Sequence, residues 1–345
     1  MTDTADPAGS LLSLPPPSLP FETLERLARD HWGITGAFLP LTSERDLNHR
    51  IDTGNASYTL KLSNPAEPPG MTEFQTLALL HVAAQDHGLP TPRVIPSRDG
   101  RHILPTPYGA LRLLTWCPGT PVARLPRTSE LAQATGDALA RLTLALAGFA
   151  HSSDDHFLLW DIRRFAELQP LVPALPPALQ AEFRSFGESF QTRIAPALTS
   201  LPTQVVHADF NPHNLLSEPA DPGQITGILD FGDMVRTPRI CDLAVAASYL
   251  VNPEDPLSLL VPLITAYHKR LPLLPAELKL LPDLIIARML TTLTIANWRS
   301  ARYPENAAYI LRNAPASETG LAALRAFGSD RLIQTLIQAC ERPDQ

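Results

Sequence analysis

Cysteine is scarce in this chain, and its few cysteines are scattered. Cys117, Cys241 and Cys340 are odd in number and far apart, without the spacing of metal ligands. This argues against a disulfide framework and against a structural zinc site. Because disulfides are rare in reducing compartments, we expect a cytoplasmic location.

Apolar runs and basic residues are also limited. No apolar run reaches the 18 or so residues that a membrane span requires, and the acidic start "MTDTADPAGS" lacks the basic region of a signal peptide. With 28 Lys and Arg against 35 Asp and Glu, the net charge is −7, which disfavours a nucleic-acid partner. We therefore expect neither a membrane nor a nucleic-acid partner. We also expect a disordered segment over residues 1–18, where proline and small residues dominate.

Several catalytic signatures are missing as well. The chain has no G-x-S-x-G elbow, no G-x-x-x-x-G-K-[ST] loop, no G-x-G-x-x-G and no H-E-x-x-H. Their absence disfavours a serine hydrolase of the elbow type, a P-loop nucleotidase, a dinucleotide-binding enzyme and a zinc protease.

The hydrophobic pattern changes character near residue 118. Residues 48–52 and 56–62 are predicted strands joined by a turn, a helix is predicted from Thr72 to about residue 86, and two strands follow in "RHILPTPYGALRLLTWCPG". From residue 130 onward helical spacing dominates. The sequence predicts an α+β protein with a small sheet-rich N-terminal lobe (19–117) and a larger helical C-terminal lobe (118–345). Ligands favour clefts between such lobes.

A polar stretch interrupts the apolar strands between residues 205 and 233. "VVHADFNPHNLLSEPADPGQITGILDFGD" holds the pattern His207-x-Asp209-x4-Asn214, and Asp230 follows sixteen residues later. Asn, Asp and Pro are ordinary turn formers, and we interpret residues 218–223 as such a turn. Turn chemistry does not explain the order of the other groups, which arises by chance in about one chain in 10⁵.

These residue types suit phosphoryl transfer. ATP needs a divalent cation on its phosphates, and an amide oxygen and a carboxylate, here Asn214 and Asp230, are ligand types that Mg²⁺ accepts. Asp209, on the same loop as Asn214, can accept or orient the proton of an attacking hydroxyl. We expect His207 to order the loop through hydrogen bonds.

The N-terminal lobe offers a matching cation. Lys61 lies on a predicted strand, and Glu73 lies in the first turn of the following predicted helix. A strand lysine held by a helix glutamate steadies nucleotide phosphates in kinases. Taken alone, a strand lysine is usually solvated, and a glutamate in a first turn is explained by the helix dipole.

Together these residues resemble the aminoglycoside phosphotransferase and choline kinase family. The resemblance rests on "HADFNPHN", "ILDFGD", Lys61 and Glu73, and it spans residues 21–340. "LTSERDLNHRI", "LLTWCPG", "LLWDIRR" and "GILDFGDM" are most similar to its hydroxylysine kinase branch. The resemblance implies a bilobal protein-kinase-like fold, ATP and Mg²⁺ as cofactors, and a small hydroxyl-bearing acceptor. Hydroxylysine-like acceptors come first, followed by homoserine, choline-like compounds and aminoglycosides.

The same resemblance implies a role for each matching residue. Asp209 is the catalytic base, Asp242 is the buried aspartate that braces the catalytic loop, and the metal ligands are Asn214 and Asp230. The nucleotide-binding residues are Lys61, Glu73, Ser43, Arg45, Asn48 and, at the hinge beside adenine (114–117), Thr115, Trp116 and Cys117. Acceptor-binding candidates are Trp160, Asp161, Trp298, Arg299 and Tyr303.

Two departures from the family pattern stand out. Ala208 occupies the position after the histidine where the commonest family form has glycine, and this matters if the backbone there needs a positive φ. The predicted phosphate loop, "SERDLN", contains no glycine, so it must bind phosphate through side chains or backbone amides.

Other interpretations remain open at this level. The fold can belong to a catalytically silent nucleotide- or metabolite-binding protein. A metal-dependent hydrolase built on His207, Asp209 and His213 requires those groups to converge on one metal. Trp160 can be a tryptophan buried between helices, and we interpret Cys117 as a packed residue and not as a nucleophile.

Overall fold

The computed structural model describes residues 16–43 and 45–341, so most of the predicted disordered segment 1–18 lies outside the described residues. The chain divides into two compact units. The N-terminal unit contains the residues up to Pro118 together with His151–Asp154 and Gly227–Leu229. The remaining residues, Gly119–Ala150, Asp155–Thr226 and those from Asp230 onward, form the C-terminal unit.

An antiparallel sheet forms the centre of the N-terminal unit. Its strands are β1 (Ala37–Leu41), β2 (Leu47–Asp52), β3 (Ser57–Leu62), β4 (Val94–Ile95), β5 (Leu104–Thr106) and β6 (Gly109–Thr115), and its helices are α1 (Phe21–Trp32) and α2 (Pro69–Gln85). Among the described residues the strand order is β1-β2-β3-β6-β4, and β5 also pairs with β6.

The two faces of this sheet differ in polarity. Leu60 and Leu62 of β3 pair with Leu113 and Leu111 of β6, and all four are buried in a cluster that includes Leu24 of α1. Each such leucine contributes about 1.5–3 kcal/mol through burial. Because side chains alternate along a strand, Lys61 of β3 and its cross-strand partners Asn48 and Arg112 form a polar row on the other face.

The helix α2 begins earlier than predicted. It starts at Pro69, with Pro68 at its N-cap, because proline at the first helical position has its φ fixed at a helical value and lacks only an N–H that would be unpaired anyway. Thr72 is therefore not the cap. Its hydroxyl instead donates to Glu67 Oε2 at 2.7 Å, and Glu73 lies beyond the first turn.

Helices dominate the C-terminal unit. They are α3 (Ser129–Ala145), α4 (Pro177–Ser189), α5 (Ala195–Leu198), α6 (Ile240–Ser248), α7 (Leu257–Arg270), α8 (Pro275–Arg302), α9 (Ala307–Ile310), α10 (Ala314–Phe327) and α11 (Ser329–Glu341). In addition, 3₁₀ segments cover Val122–Arg124, Ile162–Ala174, Phe231–Asp233 and Pro304–Asn306, and a π-helical turn covers Phe190–Ile194.

Two small sheets accompany these helices. Their strands are β7 (Thr120–Pro121), β8 (Thr203–Val206), β9 (Leu215–Glu218), β10 (Asp221–Ile228) and β11 (Val235–Pro238). Among the described residues, β10, β9 and β7 form one sheet, and β11 pairs with β8 in the other. The predicted α+β class is confirmed.

The long helix α8 lies at the centre of the C-terminal unit. It packs against α6, α10, α11 and the 3₁₀ segment Ile162–Ala174, and its residues from Leu280 to Ala296 are buried. No helix among the described residues combines the length and the apolar character that crossing a bilayer requires.

Candidate active site

The loop from His207 to Asn214 joins β8 to β9 and is tied to α6 by a buried carboxylate. Asp242 Oδ2 accepts a hydrogen bond from the backbone N–H of His207, and Oδ1 accepts one from Ala208, both at 3.0 Å. Burial raises the pKa of Asp242, while His207 and the two amide donors act against that rise. The loop therefore begins on a fixed anchor that lies 35 residues away in the sequence.

His207 fills the space beneath this loop. Its ring is completely buried and meets Phe210 and Phe231 edge to face, with centroid distances of 5.7 and 5.0 Å. The backbone N–H of Asp209 donates to His207 Nδ1 at 3.3 Å. The ring thus orders the loop by packing and by this hydrogen bond.

Ala208 adopts a left-handed backbone conformation, with φ of 61°. A residue with a Cβ atom pays about 1–2 kcal/mol for this region, so the glycine of the commoner family form would relieve real strain. The alanine methyl group, however, packs in a small cluster with Leu158, Val206 and Val235. Part of the strain is offset by this burial.

Asp209 is held by three donors. Its Oδ2 accepts from Asn211 Nδ2 and Asn214 Nδ2, both at 2.8 Å. Its Oδ1 accepts from Arg288 Nη2 at 3.1 Å. Asn214 Nδ2 also donates to the backbone carbonyl of Asp209 at 3.0 Å, so the carboxylate and the amide of Asn214 form one rigid group.

Negative charge accumulates around Asp209. Burial above all raises its pKa to about 6; Arg288 and the Asn211 hydrogen bond oppose the rise, and the carboxylates of Asp233 and Asp230 add to it. Two further carboxylates thus lie close enough to Asp209 to raise its pKa, and Arg288 is the guanidinium that opposes them. A site with this excess of negative charge is suited to a cation.

Arg288 contacts Asp209 although no sequence motif predicts it as part of the site. It lies on α8, is 1% exposed, and comes 79 residues after Asp209, so no local spacing connects the two. One signal was present. An arginine stands in the middle of the apolar helical stretch "LIIARMLTTLTIA", and a charge at such a position needs a buried partner.

The predicted metal ligands have the right chemistry for Mg²⁺. Asn214 is fixed through its Nδ2, which leaves its amide oxygen for a ligand, and Asp230 has an exposed carboxylate whose Oδ1 accepts from Gly232 N at 3.3 Å. Asp230 also has an unusual backbone φ of 59°. Mg²⁺ binds one or two protein oxygens and takes the rest of its shell from water and phosphate, so this pair fits the ion.

A cluster of histidines and carboxylates able to hold a metal by itself is absent from the described residues. His207 is packed against the rings of Phe210 and Phe231, and the His213 side chain hydrogen-bonds that of Asn313. The two histidines therefore do not converge with Asp209 on one metal. The hydrolase interpretation is wrong for this reason.

In the N-terminal unit, Lys61 has a different acidic partner from the predicted one. Its Nζ lies 2.9 Å from Asp46 Oδ2, with both side chains mostly buried. Glu73 instead faces His151, with 3.8 Å between Oε2 and Nε2, and its side chain is 60% exposed. The predicted Lys61–Glu73 ion pair is wrong, because Asp46 directly precedes the strand β2 that pairs with β3, whereas Glu73 points outward from α2.

Polar residues flank Lys61 across the sheet. Asn48 of β2 and Arg112 of β6 are its cross-strand partners. Arg112 is 2% exposed and donates to Gln75 Oε1 at 3.1 Å and to Thr76 Oγ1 at 3.2 Å. The lysine thus stands between an amide and a second, fixed cation.

The predicted phosphate loop is described in part, since residue 44 lies outside the described residues. Ser43 Oγ accepts from Asp46 N at 3.2 Å, and the carbonyl of Arg45 accepts from Asn64 Nδ2 at 3.2 Å. These contacts show that the segment is tied down by side chains where a glycine-rich loop would use backbone turns.

The predicted hinge residues follow β6 and pack closely. Thr115 exchanges hydrogen bonds with Arg93, and the guanidinium of Arg50 lies 4.6 Å from the Trp116 ring centre. Cys117 is 8% exposed, and burial raises its pKa to about 11. It is a packed residue, as expected, and its thiol is protonated and a poor nucleophile at neutral pH.

Of the five predicted acceptor-binding residues, Trp160 is linked to Asp209 through Arg288, which contacts both. The carbonyl of Trp160 accepts from Arg288 Nη1 at 3.1 Å. Asp161 is 3% exposed, and its oxygens accept from Arg163 N, Arg163 Nε and Thr237 Oγ1. Its carboxylate is therefore engaged inside the unit, where a substrate cation would have to displace Arg163.

The other three lie at the C-terminal end of α8. Trp298 has the guanidinium of Arg302 5.9 Å from its ring centre, and Tyr303 ends the helix by donating its N–H to the Arg299 carbonyl. At about 1.5 Å per residue, these residues lie about 15–23 Å along the helix from Arg288. An acceptor role for these three residues stays a prediction.

Comparison with known proteins places the chain in a family. The family model APH, described as a phosphotransferase enzyme family, matches residues 38–281, which is more than half of the chain. A hydroxylysine kinase of Danio rerio is 25% identical over 348 residues, covering 94% of this chain and 97% of that protein. A homoserine kinase of Ralstonia nicotianae is 32% identical over 173 residues, covering 46% and 47% of the two chains.

Solved structures share the fold of this chain. The structure of the microcompartment-associated aminopropanol kinase superposes with a TM-score of 0.62 at 18% identity, covering 90% of this chain and 99% of that one. A spectinomycin phosphotransferase in complex with ADP and spectinomycin gives 0.53 at 12% identity, covering 94% and 99%. The chain therefore belongs to the APH phosphotransferase enzyme family and is a small-molecule kinase of that family.

Proposed function

We propose that this kinase transfers the terminal phosphoryl group of ATP to a hydroxyl group of a small amino alcohol or hydroxy amino acid. A hydroxylysine-like acceptor is our first choice, because the Danio rerio hydroxylysine kinase matches over almost the whole chain. Homoserine is second, since the homoserine kinase match covers about half of it. Choline-like compounds and aminoglycosides follow.

The observation that carries this proposal is the fixed carboxylate of Asp209. Three donors hold it at the end of a strand, so it meets an acceptor hydroxyl in one orientation. Asp209 takes the hydroxyl proton while the hydroxyl oxygen attacks the terminal phosphorus, and ADP leaves with the electron pair of the broken P–O bond. Such general-base assistance contributes on the order of 10²–10⁴ in rate.

The remaining roles concern charge. Mg²⁺, when bound, neutralises phosphate charge and polarises the transferred group. Asn214 and Asp230 would hold it through an amide and a carboxylate oxygen. Lys61 would bind phosphate oxygens through its ammonium group, and the carboxylate of Asp46 at 2.9 Å supports an orienting role for that residue.

The test is a nucleotide-consumption assay over a panel of acceptors. We expect hydroxylysine to give the highest kcat/KM, ahead of homoserine, choline, aminopropanol and an aminoglycoside, with strict dependence on added Mg²⁺. Asp209→Asn should lower kcat by about 10²-fold or more while it still binds nucleotide. Asp233→Asn is the control for a nearby carboxylate that is given no proton-transfer role.

Two results would contradict the proposal. If Asp209→Asn turns over as fast as the wild-type protein, Asp209 is not the general base. If the protein binds ATP in a Mg²⁺-dependent way but transfers phosphate to no acceptor, it is a catalytically silent binding protein.

A further inference from the structure

Arg288 lies where three segments of the C-terminal unit meet. Its Nη1 donates to the Trp160 carbonyl and its Nη2 to Asp209 Oδ1, both at 3.1 Å. The guanidinium lies 5.1 Å from the Trp160 ring centre and hydrogen-bonds the side chain of Tyr249, the residue that ends α6. A single side chain of α8 thus joins the segment before Asp161, the loop after β8 and the end of α6.

Most lone pairs of the Asp209 carboxylate already accept a hydrogen bond. Each carboxylate oxygen has two lone pairs. On Oδ2 both are used, by the amide groups of Asn211 and Asn214, whereas on Oδ1 the described residues supply one donor, Arg288. One lone pair therefore remains for a further hydrogen bond, and it lies on Oδ1, the oxygen that Arg288 contacts.

We propose that Arg288 is a positioning residue for phosphoryl transfer: it fixes the Asp209 carboxylate so that Oδ1 receives the acceptor proton, and the acceptor hydroxyl approaches beside Arg288 and Trp160. This inference rests on the proposed function of Asp209 as base. It places the reactive end of the acceptor on the side of Trp160.

Energetics favour this role over a purely stabilising one. Burying a guanidinium costs several kcal/mol, and well-packed apolar residues often stabilise a core as well as a buried ion pair does. Arg288 is 1% exposed, and its partner carboxylate already has two amide donors. The arginine therefore adds little stability that an apolar side chain could not supply by packing. It does add orientation, because the two Nη atoms span a carbonyl and a carboxylate at once, which a lysine ammonium does not reproduce.

The experiment compares Arg288→Lys and Arg288→Met with Asp209→Asn and with a control that removes a different ion pair to the same helix. Arg193→Gln is the control, because it removes an ion pair to Asp283 of α8 (2.7 Å) through a side chain that is 56% exposed. For each variant we would measure kcat, the KM of acceptor and nucleotide, nucleotide affinity by calorimetry, and the unfolding temperature.

We expect Arg288→Lys to lower kcat by about tenfold or more and Arg288→Met by about 10²-fold, since a misplacement of roughly 1 Å at a reacting group has an effect of that size. Nucleotide affinity should stay within about twofold, and Arg193→Gln should keep kcat within about twofold. A loss in kcat without a loss in nucleotide affinity separates positioning from general damage.

Three outcomes would overturn the inference. If Asp209→Asn is inactive and both Arg288 variants keep full kcat, the proposed function stands and the positioning role is wrong. If Arg288→Lys fails to fold, or loses nucleotide affinity in parallel with kcat, the arginine is structural. If Asp209→Asn keeps its turnover, the base assignment fails and the inference fails with it.

Discussion

Ala208 combines a strained backbone with a buried methyl group. When the residue is replaced by glycine, these two features change the free energy of unfolding in opposite directions. Glycine would relieve about 1–2 kcal/mol of left-handed strain, but it would lose about 0.8 kcal/mol of methyl burial and about 0.5–1 kcal/mol through the freer unfolded chain. We therefore expect Ala208→Gly to change the free energy of unfolding by less than about 1 kcal/mol.

Ala208→Val is the informative partner, because a β-branched residue is a genuine outlier at positive φ. We expect it to destabilise the protein by about 2 kcal/mol or more and to lower kcat, since Ala208 directly precedes Asp209. Urea denaturation of both variants measures this. Equal stability of the two variants would show that the backbone at residue 208 relaxes away from its φ of 61°.

The raised pKa of Asp209 has a consequence for stability. Burial lifts it from 3.8 to about 6, so the folded protein binds this proton more tightly than the unfolded chain. Stability conferred by that proton is complete below pH 3.8 and is lost as the pH rises through about 6. In EDTA, we expect the unfolding temperature of the wild-type protein to fall relative to Asp209→Asn across this interval, by on the order of 2 °C.

Scanning fluorimetry between pH 4 and 8 is the measurement, with the two proteins in identical buffers. Above pH 7 the difference between their unfolding temperatures should be constant. A difference that does not vary with pH anywhere in this range would show that Asp209 has an ordinary pKa in the folded protein.

For single residues, the sequence predicts a shared site only for groups that are close along the chain. Asp209 and Asn214 are five residues apart on one loop, so their spacing survives folding. Arg288 is invisible to such reasoning, because its partner lies 79 residues earlier and only the packing of α8 brings them together.

Among the elements, the hairpin of β2 and β3 decides the environment of Lys61. The alternating pattern predicted both strands and the turn at residues 53–55, and the register follows from it, with Asn48 opposite Lys61. The pattern could not identify Asp46 as the ionic partner, because that contact depends on how the segment before β2 turns back over the sheet. The error in α2 has a local cause, since Pro69 starts the helix one turn before Thr72.

The two acidic candidates for orienting Lys61 can be separated by mutation. Asp46→Asn removes the ion pair at 2.9 Å, and we expect nucleotide affinity to fall by about three- to tenfold, in line with the roughly 1 kcal/mol of a partly buried charge pair. Glu73→Gln is the matched control, because its side chain is 60% exposed, and it should change affinity by less than about twofold. Isothermal titration calorimetry decides between them, and the reverse order of effects would restore the helix glutamate as the partner.

For the whole molecule, the sequence predicted the class of fold and the broad order of strands and helices. The sheet-rich start and the helical remainder follow from hydrophobic periodicity, which is a local property. The pairing of β8 with β11 and the burial of the centre of α8 depend on contacts between residues far apart in the chain, and hydrophobic periodicity does not predict them.

Ligand binding should register in the stability of the whole protein. At a nucleotide concentration of about 100 Kd, binding to the folded state adds about 2.7 kcal/mol to the free energy of unfolding. We expect ATP to raise the unfolding temperature only with Mg²⁺ present, because Asn214 and Asp230 would act on the phosphates through the metal.

Lys61→Met tests the same effect from the protein side. Losing one charge-assisted contact of about 1.5–3 kcal/mol should reduce the thermal shift strongly, while the unfolding temperature without ligand changes little. An identical shift with EDTA, or with Lys61→Met, would contradict the assigned phosphate contacts.

The carboxylate of Asp242 also determines how the protein can open locally. Its two oxygens hold the amides of His207 and Ala208, so those N–H groups exchange with solvent deuterium only when α6 separates from the loop. The loop and α6 therefore behave as one cooperative unit in native-state exchange. Most catalytic loops belong to the least protected part of a protein, whereas the start of this one shares the protection of a core helix.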